Sequence, residues 1–148
     1  MTSTKILGLD PGKSTGWGRI TVENRQISLG EFGVSKDMTL SDIAHHFADV
    51  DIVVYEGFWI DPKLAQAGFL NYDEMLAPQV IGTIKTLAKQ HGIQHVEKQN
   101  ASLKPPAYGF AGMKYVRGKK NMHAQDAIAH AVYYAVKKLQ ARPVRASV

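Results

Sequence analysis

Apolar residues in the N-terminal two thirds of the chain occur in short runs and alternations, the pattern of β-strands. Two of these segments are almost wholly apolar until they end on an acid, Asp10 in one and Glu56 in the other. Such runs predict strands that are buried on both faces of a sheet. The predicted strands cover residues 5–10, 16–22, 26–34, 51–56 and 93–96.

Two longer segments, 72–90 and 122–139, carry apolar residues at intervals of three and four, which predicts amphipathic α-helices. Thr39 or Ser41 is a candidate cap for a shorter helix that reaches His46. The order of elements combines a three-stranded meander with strand–helix–strand crossovers. The sequence therefore predicts an α/β fold with a mixed five-stranded sheet and helices on both faces.

The chain of 148 residues has the length of one domain. It contains no cysteine, which excludes a disulfide scaffold, a cysteine zinc site and a thiol nucleophile. No apolar run reaches the roughly 18 residues of a membrane span, and the N-terminus leads into the first strand without a signal peptide. We therefore expect a single domain over residues 1–148 with no membrane contact. Its expected location is the cytoplasm, or the host cytoplasm if a phage encodes it.

Charge is divided unevenly between two parts of the chain. Residues 1–103 carry a net charge of −3, with nine basic and twelve acidic residues. Residues 104–148 carry +8, with nine basic residues against the single acid Asp126. A basic segment on an acidic body is typical of a protein that binds a polyanion, most commonly nucleic acid. The alternative is a solvated helix end and tail.

The basic part begins with residues 104–120, which include two prolines, three glycines and five cations. This composition predicts a loop, and Asn121 after it is a suitable N-cap for the last helix. The cations of this loop are candidates for phosphate contacts, with a disordered solubilising loop as the alternative. The basic tail at 140–148 is less informative, because positive charge also favours the C-terminal end of a helix.

One local pattern suggests nucleotide chemistry but lacks the spacing for it. Gly12-Lys13-Ser14 resembles the end of a Walker A phosphate loop, yet the glycine required five positions before Gly12 is Leu7. The segment also continues into a predicted strand, where a phosphate loop would open a helix. The sequence therefore predicts no nucleotide cofactor.

Three acids occupy positions from which they can converge. Asp10 and Glu56 each end a buried strand, and Asp126 lies one turn into the last helix. His123 stands three residues before Asp126 on the same helical face. Asp10 alone is also explained as a turn former, and Asp126 as a partner of the helix dipole. Glu56 is harder to explain in this way, because a buried acid is costly without a partner.

Carboxylates that converge repel one another, so such a cluster requires cations. Oxygen ligands with at most one nitrogen favour Mg²⁺ or Mn²⁺ over Zn²⁺. Two such ions would activate a water and stabilise the leaving oxygen of a phosphodiester. The end of the strands is also where open α/β sheets bind their ligands. The acids together therefore predict a divalent-metal site for phosphodiester hydrolysis.

Three motifs follow one another along roughly residues 4–136. They are Leu7-Gly8-Leu9-Asp10-Pro11-Gly12 with Thr15-Gly16-Trp17-Gly18, then Val54-Tyr55-Glu56-Gly57-Phe58, then His123-Ala124-Gln125-Asp126-Ala127-Ile128-Ala129. In content, order and spacing they resemble the motifs of RuvC-type Holliday-junction resolvases. The resemblance implies an RNase H-like fold, a homodimer and Mg²⁺-dependent nicking of four-way DNA junctions. It also implies that Asp10, Glu56 and Asp126 are catalytic metal ligands, and that His123 is a ligand or orients a water.

The same family carries an aromatic wedge after the strand-end glutamate, used to open the junction centre. Phe58 and Trp59 occupy that place here, and each is a candidate for stacking on an unpaired base or for packing under the next loop. Residues 60–72 match no pattern of the family, and the resemblance places the dimer interface on the helix after them. The candidate DNA-binding residues are Lys13, Phe58, Trp59, Lys104, Lys114, Arg117, Lys119 and Lys120.

We therefore expect a crossover junction endodeoxyribonuclease, a structure-selective enzyme that nicks four-way or branched DNA by two-metal-ion hydrolysis. The expected cofactor is Mg²⁺, with Mn²⁺ as a substitute and two ions in each site. Two alternatives remain open. A non-catalytic branched-DNA-binding protein needs the basic surface but not the carboxylates, and an RNA–DNA hybrid nuclease of the same fold depends on 2′-hydroxyl groups.

Overall fold

The computed structural model describes residues 2–59, 62–68, 73–119 and 121–144. Five strands form a sheet: β1 (Thr4–Asp10), β2 (Thr15–Glu23), β3 (Gln26–Ser35), β4 (Ile52–Glu56) and β5 (His95–Gln99). Their order across the sheet is β3-β2-β1-β4-β5. The first three strands pair antiparallel, whereas β4 runs parallel to both β1 and β5. This is the predicted mixed five-stranded sheet.

In the described ranges, four α-helices connect or follow these strands: α1 (Pro62–Gln66), α2 (Ala77–Gln90), α3 (Lys104–Phe110) and α4 (His123–Lys138). Short 3₁₀ turns add to them at Ala44–Phe47, Asp73–Leu76 and Ala101–Leu103. The predicted helix over 72–90 is therefore a 3₁₀ turn that continues into α2, and residue 72 itself lies outside the described residues. Within the described ranges, no helix is long and apolar enough to cross a membrane.

Different helices cover the two faces of the sheet. Because side chains alternate along a strand, Leu7 and Leu9 of β1 face one way and pack in a buried cluster with Ile84 of α2. Ile6 faces the other way and packs with Val54 of β4 and with the apolar side of α4. The two layers of helix confirm the predicted arrangement and place α4 on the face that Asp10 and Glu56 share.

Residues 104–110 form α3, so the prediction of a loop over the whole of 104–120 is wrong for its first part. Pro105 and Pro106 lie in the first turn of α3, where backbone N–H groups have no helical partner and proline is tolerated. Ala107 and Tyr108 are fully buried and pack with Ala129 of α4. Tertiary burial thus stabilises a helix in a segment whose composition favours a loop.

Both predicted side-chain caps are also wrong. Thr39 and Ser41 donate their hydroxyl hydrogens to the carboxylate of Asp37 instead of capping a helix. Asn121 adopts a φ of 66°, and Met122 after it is the N-cap of α4 without a capping side-chain hydrogen bond. The N-terminus of α4 is therefore positioned by its packing on the sheet rather than by a cap.

Candidate active site

The carboxyl ends of β1 and β4 bring two of the predicted acids side by side. These strands are parallel neighbours whose register places Asp10 and Glu56 at adjacent ends. Side chains of α4 contact both acids, and α4 itself begins at His123 and carries Asp126 in its first turn. The structure thus brings all four predicted catalytic residues to the same end of the sheet.

Two glycines allow the backbone of α4 to lie directly on the sheet. A Cβ on Gly16 would stand 1.9 Å from the carbonyl oxygen of His123, and one on Gly8 would stand 2.1 Å from that of Ala127. Gly16 is the antiparallel partner of Asp10, so the close approach occurs beside this acid. The glycines of the first motif therefore determine how near the helix comes to the strand ends.

Asp10 is buried and pairs with His123, whose Nδ1 lies 3.2 Å from Oδ2 of Asp10. Burial raises the pKa of Asp10 to about 6, against the hydrogen bond to His123, which lowers it, and with the charge of Glu56, which raises it further. The same hydrogen bond raises the pKa of His123. Ionised Asp10 is thus held in this position at an energetic cost.

The ammonium group of Lys104 lies between the other two carboxylates. Its Nζ is 2.9 Å from Oε1 of Glu56 and 3.3 Å from Oδ2 of Asp126. Burial opposes the charge of Lys104, but these two acids outweigh it and raise the pKa of the ammonium above its usual value. Lys104, predicted to contact DNA from a loop, therefore begins α3 and neutralises part of the acidic cluster.

Two buried side chains that the sequence analysis does not assign to the site hold the same carboxylates. The hydroxyl of Tyr108 donates to Oδ1 of Asp126 over 2.5 Å, and burial together with this bond raises the pKa of the phenol. His130 places Nε2 3.1 Å from Oε1 of Glu56. A sequence signal for His130 exists: it follows His123 by two helical turns and so lies on the same face of α4.

Glu56 differs from Asp10 in its electrostatic environment. Burial opposes its ionisation, but the hydrogen bond from His130 and the charge and hydrogen bond of Lys104 outweigh burial and lower the pKa of Glu56 to about 2. The pKa of the neighbouring Asp10 is shifted in the opposite direction, upward. Adjacent acids whose pKa values are driven apart are typical of functional sites.

The donor set at this end of the sheet fits a hard divalent cation. The carboxylates of Asp10, Glu56 and Asp126 and the imidazole of His123 lie at this end of the sheet, with the ammonium of Lys104 between Glu56 and Asp126. Within the described part of the chain, no three acidic or histidine side chains are close enough to hold a metal ion as they stand. Binding would therefore require these side chains to rearrange, beginning with Lys104, which occupies the space between Glu56 and Asp126.

A cleft of about 670 Å³ opens beside Glu56 at the ends of β4 and β5. The two aromatic residues predicted to stack on a base, Phe58 and Trp59, both line it. Phe58 is half-buried, whereas the side chain of Trp59 is 76% exposed. The indole of Trp59 is therefore exposed where it lines the cleft, and its stacking on an unpaired base stays a prediction.

Four of the predicted DNA-binding cations are exposed: Lys13, Lys114, Arg117 and Lys119. Lys13 lies in the turn that follows Asp10, and the others lie between α3 and α4, the two helices that contribute side chains to the acidic cluster. Lys120 lies outside the described residues. Along the sequence, exposed cations therefore lie close to members of the acidic cluster: Lys13 follows Asp10, and the other three precede α4.

Neither a scan against protein-family models nor a search of curated proteins finds a match to this chain. A search of solved structures does. RuvC of T. thermophilus, solved with a Holliday junction substrate, superimposes with a TM-score of 0.66 and 18% identity over 95% of this chain and 100% of that one. Fowlpox virus resolvase, solved with substrate Holliday junction DNA, gives a TM-score of 0.52 and 16% identity over 93% and 97%.

The sheet order and the helical layers are those of the RNase H-like α/β fold. Within that class, the fold is the one found in RuvC-type resolvases, over nearly the whole length of both chains. This confirms the predicted fold and the resemblance at the level of structure. The ligand and DNA-contact roles of the named residues stay predictions.

Proposed function

We propose that this protein is a metal-dependent, structure-selective endodeoxyribonuclease that nicks four-way or branched DNA. One observation carries the proposal: Asp10, Glu56 and Asp126 converge with His123 at adjacent strand ends beside exposed cations. A protein that only bound DNA would have no use for a cluster of mutually repelling acids, one of them buried and two half-buried. The likeness in fold to two proteins solved with Holliday junctions supports the choice of substrate.

Asp10, Glu56 and Asp126 would hold Mg²⁺, or Mn²⁺ in its place, with two ions in the site and His123 as a further ligand or a group that orients water. Bound there, such ions supply an activated water and stabilise the charge that develops on the leaving oxygen. His123 is oriented toward Asp10 through Nδ1, and Tyr108 and His130 fix the rotamers of Asp126 and Glu56. These contacts restrain Asp126 and Glu56, and the rearrangement that metal binding requires would begin with Lys104.

DNA would be held mainly through its phosphates. Lys13, Lys114, Arg117 and Lys119 are exposed cations, the kind of side chain that supplies many phosphate contacts, so they suit backbone contacts. Trp59 at the cleft suits stacking on a base that the junction leaves unpaired. Together these contacts recognise the shape of a branched DNA rather than its sequence.

Two symmetric nicks in a four-way junction require two active sites related by a two-fold axis. We therefore propose a homodimer in which each protomer contributes one site. The exposed side of α2 is the surface for it: Gly82 in the middle of this helix has open space where a Cβ would be, which permits close approach of a second helix. Substitution of Gly82 by Leu tests this surface by analytical ultracentrifugation.

The deciding experiment compares strand nicking of a labelled synthetic four-way junction with nicking of its linear duplex, in Mg²⁺ and in EDTA. We expect symmetric nicks on the junction alone and only with Mg²⁺. Asp10→Asn should bind the junction as the wild type does and leave it uncut. Binding without nicks in Mg²⁺ and Mn²⁺ alike would reduce the protein to a branched-DNA-binding module. Preferential cutting of an RNA–DNA hybrid would assign it to the other activity of this fold.

A further inference from the structure

His130 of α4 is a histidine whose side chain is completely buried, with an exposure of 0%. It lies among small and apolar residues of the helix, next to Ala129 and Ala131, on the face that packs on the sheet. A polar ring in such a place is costly unless both its nitrogens have partners. The question is therefore what these partners are.

Both nitrogens of His130 are engaged, and the two partners lie on adjacent strands. Nδ1 is 2.7 Å from Oε1 of Gln99 at the end of β5, and Nε2 is 3.1 Å from Oε1 of Glu56 at the end of β4. Gln99 is itself buried, and its backbone carbonyl accepts from the N–H of Gly57, the residue after Glu56. A connected chain of hydrogen bonds thus runs from β5 through α4 to the carboxylate of Glu56.

This series of hydrogen bonds determines the orientation of the Glu56 carboxylate from the interior of the protein. Because Nδ1 is held by Gln99, the ring cannot turn without breaking a buried hydrogen bond, and Nε2 stays directed at the carboxylate. Lys104 contacts the same Oε1 atom from the half-buried side of the site. Lys104 is only partly buried and can move with its flexible stem, whereas His130 is enclosed and cannot.

We infer that His130 is a positioning residue that orients Glu56 for a divalent cation, with Gln99 fixing the ring. The inference rests on the proposed function, since it concerns the carboxylate that would bind the metal. Partners behind a metal ligand usually affect metal affinity by about 10–100-fold when they are removed. An imidazole that merely filled space in the core would have no such effect.

Two amide substitutions test the two hydrogen bonds of His130 separately. In His130→Gln the side-chain nitrogen reaches approximately the place of Nε2 and still donates to Glu56. In His130→Asn the shorter amide reaches only the place of Nδ1, so it retains the contact with Gln99 and loses the one with Glu56. His130→Leu removes both. The matched control is His46→Leu, which removes another buried histidine, one that stacks on Trp17 on the opposite face of the sheet.

The readout is Mn²⁺ binding to the DNA-free protein by isothermal titration calorimetry, with thermal unfolding in EDTA to establish that each variant is folded. We expect a loss of at least tenfold in Mn²⁺ affinity for His130→Leu and His130→Asn, a smaller loss for His130→Gln, and none for His46→Leu. Junction binding in EDTA should be the same for all four. Should His130→Leu fail to fold, the comparison of the Gln and Asn variants decides.

Equal Mn²⁺ affinity of the Gln and Asn variants, or wild-type affinity in His130→Leu, would overturn the inference and leave the proposed nuclease intact. A wild-type protein that neither binds Mn²⁺ nor nicks junctions would instead contradict the proposed function itself. The wild-type arm and the variant arms therefore fail separately.

Discussion

Substitution of Asp10 by Asn should make the protein more stable while it abolishes nicking. Asp10 is buried and has a pKa of about 6 against a usual value of 3.8, so the folded chain bears the cost of ionising it. At a pH well above 6 that cost is roughly 3 kcal/mol, since one pKa unit is worth about 1.4 kcal/mol. Asn has the same shape, carries no charge and still offers an oxygen to His123.

The sign of the pH dependence follows from linkage. Between pH 4 and 6 the folded wild type binds more protons at Asp10 than the unfolded chain does, so its stability falls as pH rises through this range. The lowered pKa of Glu56 acts in the opposite direction, but between about pH 4.5 and pH 2, below most of the range from pH 4 to pH 8. The stability advantage of Asp10→Asn should therefore grow by up to about 3 kcal/mol between pH 4 and pH 8.

Urea unfolding followed by tryptophan fluorescence at pH 4, 6 and 8 in EDTA measures this difference. Saturating Mn²⁺ at pH 8 provides a second arm: at about one hundred times its dissociation constant it adds roughly 2.7 kcal/mol to the wild type, and little to the variant. A difference that stays constant with pH, or a variant less stable than the wild type at pH 8, would refute the reasoning that burial of Asp10 sets its pKa.

Three further changes test the geometry of the site. Gly16→Ala should prevent α4 from lying on the sheet, because its Cβ meets the carbonyl of His123; we expect loss of nicking and a Tm lower by several degrees in a thermal scan. Tyr108→Phe removes the hydroxyl that donates to Asp126. We expect the single-turnover rate constant of cleavage to fall by about tenfold or more, at nearly unchanged junction affinity. Trp59→Ala should weaken binding to junctions with an unpaired centre by roughly 1–3 kcal/mol in a fluorescence titration, and leave duplex binding unchanged.

The elements that could be predicted from the sequence are those whose local pattern and tertiary role agree. The apolar runs that end at Asp10 and Glu56 are buried strands, as predicted. A short, almost wholly apolar segment is stable only when it is buried, and a strand within a sheet buries both of its faces. The face that these acids share follows from alternation alone. The order of the strands and the placement of α4 over that face confirm the predicted fold.

Other features depend on contacts that a local pattern does not contain. α3 begins with Lys-Pro-Pro, which reads as a loop until Tyr108 is seen to be buried against α4. β5 is His95–Gln99 rather than the predicted 93–96. Because this strand is mostly polar, its composition does not indicate that Gln99 is buried next to the site. Lys104 could be recognised as a cation, but only the turn of α3 shows that it points at carboxylates and not at phosphate.

The placement of Lys104 explains how so acidic a cluster is accommodated in the folded chain. Three carboxylates near one another destabilise the fold through charge repulsion. The ammonium between Glu56 and Asp126 offsets part of this repulsion, whereas Asp10 is stabilised by its weaker hydrogen bond to His123. A divalent cation offers these acids more charge than Lys104 does, so binding it would release the ammonium for another partner. In the proposed complex, the scissile phosphate would offer such a partner. The same lysine would thereby offset the repulsion between the acids before a metal binds and contact DNA afterwards, in agreement with the role predicted from its charge.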